Sequence, residues 1–141
     1  MRKLIELRTK HIDRFAFRIF HHYTQEMFYF NLGEVAFPPT FHEYVADGNK
    51  VVIQSPGVFD NSGKLIYEGD ILREKITYLC DDGEETTGYT KHIVVFKDCA
   101  FKLAQNCDYD NIRCIPGTPT KTLGSVEVIG NIYENPELLN E

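Results

Sequence analysis

The apolar residues of this chain arrive in short runs, most of them separated by glycine, asparagine, aspartate or proline. FAFRIF (15–20), MFYFNL (27–32), VVIQS (51–55), HIVVF (92–96) and AFKLA (100–104) are only five or six residues long. Ten Phe and eight Tyr in 141 residues add the flat, bulky side chains that suit pleated surfaces. Runs of this length and composition specify many short strands rather than long helices. At 43% hydrophobic the chain can build a core, and no run approaches the length of a membrane-spanning helix.

The punctuation between runs sets the connections. HYTQE separates the first two strands and reads as the polar loop of a hairpin. Pro38-Pro39 stops any ladder, since neither residue donates a hydrogen bond. TFHEYVADGN fits one or two helical turns, capped by Thr40 and ended by Gly48. Asp60-Asn61-Ser62-Gly63 is a turn in which Asp bonds back to the backbone and Gly supplies a positive φ. Glu68-Gly69-Asp70 splits two apolar runs and implies a tight bend before a strand over 71–79. CDDGEETTG is an exposed acidic hairpin loop, and Lys97-Asp98-Cys99 a short link. Residues 105–124 form a long irregular loop. In SVEVIGNIYENPELL, Gly130 sits in mid-strand, which signals a bulge or a close backbone approach, and Asn135-Pro136 ends the strand.

These readings divide the chain into an N-terminal strand and hairpin segment, 1–50, and a β-rich part, 51–141. The latter is expected to be a strongly bent antiparallel sheet of five or six strands, rolled into a small barrel that hides its edges.

The formal charge is −6, unevenly spread. Residues 1–22 hold six bases (Arg2, Lys3, Arg8, Lys10, Arg14, Arg18) against two acids, a local +4, and the remainder is −10. A basic arm for nucleic acid or an acidic partner is one reading. The alternation favours the plainer one: Phe15, Phe17 and Ile19 share one strand face, Arg14 and Arg18 the solvated other. Overall acidity argues against a dedicated phosphate-backbone binder.

Chemistry-bearing patterns are sparse. Cys80, Cys99, Cys107 and Cys114 make no CxxC pair, and MRKLIELRTKHID lacks an export-type apolar stretch. Reduced thiols in the cytosol are therefore expected, with a Cys107–Cys114 disulfide as the alternative. Glu68 and Asp70 share a strand face, a placement that suits a metal or acid–base work, but a glycine-permitted bend explains them with fewer demands. The adjacent His21 and His22 point opposite ways on a strand, and His11, His42 and His92 lack ligand spacing. Cys99 with His92 lacks an identifiable orienting third residue. No phosphate-cradling glycine loop or GxSxG is present, and the 81–85 acids lack calcium-loop spacing. The expectation is no catalytic residue, no cofactor and no metal.

Two segments carry a family resemblance. PGVFDNSGKLIYEGDILR resembles the "tGlkDknGkeIYEGDiv" segment of YopX-like phage and prophage proteins, matching at Gly57, Asp60, Gly63, Ile66, Tyr67, Glu68, Gly69, Asp70 and Ile71. VEVIGNIYENPELL is similar to the closing signature of that family, with Gly130, Asn131, Asn135 and Pro136 in place. FRIFHHYTQEMFYF looks like its opening "fRaWdketkkMyy", with Phe20 where Trp is usual. The sixteen residues before Phe17 and the 105–124 loop depart from the pattern. The resemblance implies a C-terminal SH3-like small barrel and a viral or prophage origin, and it implies no activity, cofactor or catalytic residue.

The combined expectation is a mainly β protein, acting as a non-enzymatic accessory factor in the bacterial cytoplasm and binding another protein or itself. The alternative is a nucleic-acid-associated factor contacting phosphates through Arg8, Lys10, Arg14 and Arg18.

Overall fold

In the computed structural model the described residues are 16–31, 48–115 and 122–140. The chain forms two compact units, Met1–Val58 with Leu65–Tyr67, and Phe59–Lys64 with Glu68–Glu141. The helical turn expected over 40–49 falls almost wholly outside the described residues, as do Arg8, Lys10 and Arg14.

The first unit is built on β1 (Ala16–His21), β2 (Glu26–Asn31) and β3 (Lys50–Gln54), antiparallel in the order β2-β1-β3. The hairpin is as expected: His21 pairs with Glu26, leaving a four-residue loop in which Gln25 is left-handed and its N–H bonds His21 O at 2.8 Å. The strand at 51–55 belongs to this sheet, not to the C-terminal part, because it pairs with β1 from Phe17↔Gln54 to His21↔Lys50.

As the central strand, β1 is covered on both faces, which overturns the expected solvated side. Ile19 is buried, and so are Ala16, Arg18 and Phe20 on the opposite face, with Arg18 only 2% exposed. Its guanidinium lies 4.7 Å from the centroid of Tyr67, whose ring meets Tyr29 edge-on at 5.7 Å. A weakly hydrated, planar cation tolerates such a position where an ammonium would not. Ser55 fastens the segment that carries Tyr67: its hydroxyl donates to Ile66 O (2.7 Å) and accepts the Gly57 N–H (3.0 Å).

The second unit is a five-stranded antiparallel sheet in the order β7-β6-β5-β4-β8. Its strands are β4 (Asp70–Leu79), β5 (Glu85–Lys97), β6 (Ala100–Gln105), β7 (Ile112–Cys114) and β8 (Val126–Asn131). A 3-10 turn, Pro136–Asn140, follows. Leu72, Val94, Leu103 and Val126 are buried on one face, Ile71, Ile93 and Ala104 on the other. The bulge expected near Gly130 is present: Ile71 pairs with Gly130 and Leu72 with Val128, so Ile129 is the extra residue.

Two expectations need correction. The sheet is not a closed barrel: among the described residues β7 and β8 are its edges and do not pair. Closure is unnecessary at the β8 edge because Asp60 and Asn61 already occupy it, Asn61 N–H bonding Val126 O (3.0 Å) and Val128 N–H bonding Asp60 Oδ2 (2.9 Å). The 105–124 segment is also not wholly irregular. Asn106 and Cys107 are both left-handed in a tight turn that brings Ile112–Cys114 back against β6 as β7.

Asp60 is fully buried. Besides Val128, its carboxylate accepts from Ser62 N (2.9 Å), Ser62 Oγ (2.8 Å) and Lys64 N (2.8 Å). Burial pushes its pKa up, but the bonds from Val128, Lys64 and Ser62 outweigh burial and hold the carboxyl below its ordinary value. Asp60→Asn puts an amide where only acceptors fit and is expected to cost about 3 kcal/mol, measured as a lower urea midpoint by far-ultraviolet circular dichroism.

Candidate functional site

The two segments singled out by sequence converge at one end of the second unit. Gly69, at φ +83°, donates its N–H to Val94 O (2.7 Å), and its carbonyl accepts the Ile132 N–H (2.9 Å). A Cβ there would stand 2.7 Å from Cε2 of Tyr133, so the ring lies directly on the glycine. Asn131 shapes the turn that presents Tyr133, its Oδ1 accepting from Tyr133 N (3.0 Å) and Glu134 N (2.8 Å). Asn135 Oδ1 accepts the Asn131 N–H (3.2 Å), and a Cβ on Gly130 would strike both Asn135 and Leu138 at 2.7 Å. Pro136 opens the 3-10 turn behind them.

These contacts leave an open cleft of about 340 Å³, within the usual range for a small-ligand or side-chain pocket. Ile93, Val95, Ile112 and Ile132 line it, with Phe96, Tyr109 and Tyr133 as aromatic members and Glu68 and Lys97 as its charges. Phe96 and Tyr109 are largely exposed. Among the described residues the cleft lining holds no thiol or imidazole, and one carboxylate and one ammonium.

A second polar assembly was not foreseen from sequence. On the other face of the sheet, Glu74 Oε1 lies 3.3 Å from His92 Nε2, and Arg113 Nη2 donates to Glu74 Oε2 at 2.9 Å. Asn106 N–H donates to His92 Nδ1 (3.3 Å), which assigns the neutral ring's proton to Nε2, facing Glu74 and Thr90 Oγ1 (3.1 Å). Burial lowers the His92 pKa and the Arg113 charge adds to this, while the Glu74 bond and charge oppose it; the net direction is down. Both ring nitrogens are engaged, which suits a structural tie better than proton transfer. A small cavity of about 100 Å³ adjoins Glu74 and Arg113.

The remaining candidates are scattered. Asp70 is buried at the start of β4, opposite Asn131. Arg18 is in the first unit's core and offers no phosphate contact. His21 Nδ1 accepts the Thr24 N–H (3.3 Å) within the hairpin loop. All four cysteines are free, so no Cys107–Cys114 bridge exists. Cys99 is exposed in the left-handed Asp98–Cys99 turn, while burial pushes the Cys107 thiol up more than Lys91 draws it down. Among the described residues no three His, Cys, Asp or Glu side chains are placed to hold a metal.

One stretch of the sheet has no third strand beside it among the described residues. β8 leaves β4 at Lys75, whose N–H bonds Ser125 O (2.9 Å), and β6 leaves β5 at His92. Beyond these points, among the described residues, Ile76–Leu79 and Glu85–Thr90 pair only with each other, as a two-stranded ribbon. Leu79 (72% exposed), Tyr89 (60%), Tyr78 and Ile76 are uncovered along it. The Tyr78 ring stands over Gly88, 3.3 Å from where a Cβ would be. At the root, the Arg73 guanidinium lies 5.0 Å from the Tyr89 ring centroid and pairs with Glu127 at 2.8 Å.

The family model described as YopX protein matches residues 34–140. No curated protein matches the chain. The fold is similar to that of protein EF1440 from Enterococcus faecalis, with a TM-score of 0.55 at 22% identity over 88% of this chain and 96% of that one. Protein yopX from Bacillus subtilis aligns with a TM-score of 0.49 at 18% identity, over 89% and 98% of the two chains.

Two outcomes follow from the geometry. Because the folded pKa of His92 lies below its unfolded value, stability is complete above the unfolded value and falls as the pH drops through it. The thermal midpoint should therefore decline from about pH 7.5 to about pH 5.5, and His92→Gln should flatten that decline. Gly69→Ala should cost about 2 kcal/mol, and in a Tyr133→Ala background the penalty should shrink to its backbone part, as a double-mutant thermal series reads out.

Proposed function

The chain belongs to the YopX family, and from that premise we propose that it is a phage- or prophage-encoded accessory protein that works by contact, in the bacterial cytoplasm, with another protein or a second copy of itself. One observation carries the reading: the β4–β5 ribbon exposes four large apolar side chains, Leu79 and Tyr89 on one face and Ile76 and Tyr78 on the other. Exposed apolar side chains concentrated on one projecting element are characteristic of interaction surfaces. The apolar cleft beside Tyr133 supports the same reading, since it offers aromatic contact and two orienting charges. Of the two acids that looked most like reaction machinery, Asp70 is buried at the start of β4 and Glu68 lines the cleft.

The test is capture from host cells and light scattering of the purified protein, each with wild type and with Leu79→Asp/Tyr89→Asp. A defined complex, with a protein or with itself, that the double variant loses while keeping its thermal midpoint is the expected result. A chain that stays monomeric at high concentration and low salt and retains no protein would overturn the proposal.

A further inference from the structure

The ribbon is charged in opposite senses at its two ends. Its root carries Arg73, Lys75 and Lys91, which the strand register places on one face, together with Tyr89, Thr77 and Leu79; Arg73 is paired with Glu127 and Lys91 Nζ donates to Leu138 O, while Lys75 is exposed. Its tip carries Asp81, Asp82, Glu84 and Glu85, all exposed around Gly83. From Lys75 to Asp81 the strand rises about 20 Å, roughly two Debye lengths at physiological salt. Root and tip of one copy therefore gain almost nothing from each other, and the four tip carboxylates repel one another without local relief.

We propose that this face is occupied by the same face of a second copy, stacked antiparallel about a two-fold axis. This rests on the contact function proposed above and names its partner. An isologous pair needs a surface complementary to itself, and an acid tip and a basic root, with Thr77 and Leu79 between them, provide that only when the second ribbon is reversed. With the axis at Tyr78, Lys75 of each copy faces Asp81 of the other and Thr77 faces Leu79. Parallel stacking would instead bring eight tip carboxylates together. Covering Leu79 and Tyr89 also supplies the second layer that a two-stranded ribbon needs to pack against.

The experiment is concentration-dependent light scattering with Lys75→Glu, Asp81→Lys, and equal mixtures of the two. Both substitutions are at exposed positions, and circular dichroism confirms that each variant is folded. Each variant alone should associate about tenfold more weakly than wild type, more so at low salt, and the mixture should regain wild-type association because both contacts are then restored. A wild-type oligomer indifferent to both substitutions, or a mixture no stronger than its parts, would overturn the pairing. A monomeric wild type would also overturn it; if that monomer still captures a different protein through Leu79 and Tyr89, the contact function survives, and if it captures none, both fall.

Discussion

Asp60 is the constraint around which the second unit is arranged. Its carboxylate is out of water, and such a group is tolerable only if its lone pairs are filled. Ser62 and Lys64 fill one oxygen from within the turn, and Val128 fills the other from a strand sixty-eight positions away. The same residue therefore shapes a local turn and fixes where β8 lies. It also consumes an outward-facing N–H of that edge strand, so β8 is shielded without a further strand beside it. An open sheet with one capped edge is the result.

The glycines of the two signature segments act by absence of volume. Gly69 permits both the left-handed backbone and the seat of the Tyr133 ring, and Gly130 lets Asn135 and Leu138 approach the bulged strand. Neither contributes chemistry. Together they hold Ile132 and Tyr133 against the end of β5, and that placement makes the cleft.

Much of this was legible in the residues. The period-two runs located the strands, Asp60 to Gly63 announced its turn, and Gly130 its bulge, because each signal is local. What escaped depended on register and coverage. Nothing in the alternation of β1 says that both faces of its sheet are covered, so Arg18 read as solvated when Tyr67, far along the chain, stacks on it. Glu74, His92 and Arg113 meet only because β4, β5, β6 and β7 pair in one particular alignment, and three isolated polar residues on three strands carry no spacing pattern. The short β7 hid in a polar stretch because two non-glycine residues, Asn106 and Cys107, adopt left-handed conformations at its turn. The ribbon escaped for a different reason: its strands were visible, but where their neighbours leave them was not.

The return of Leu65–Tyr67 to the first unit has a bearing on biosynthesis. Residues 59–64 belong to the second unit, so no single cleavage point divides the polypeptide into its two parts. On the ribosome, the N-terminal sheet stays incomplete until Ile66 and Tyr67 have emerged, by which time Asp60 is already outside the tunnel with its partner Val128 not yet translated. Until Val128 follows, the Asp60 carboxylate stays in water and the turn cannot bury it, and a gene fragment ending anywhere near position 58 would encode neither piece whole.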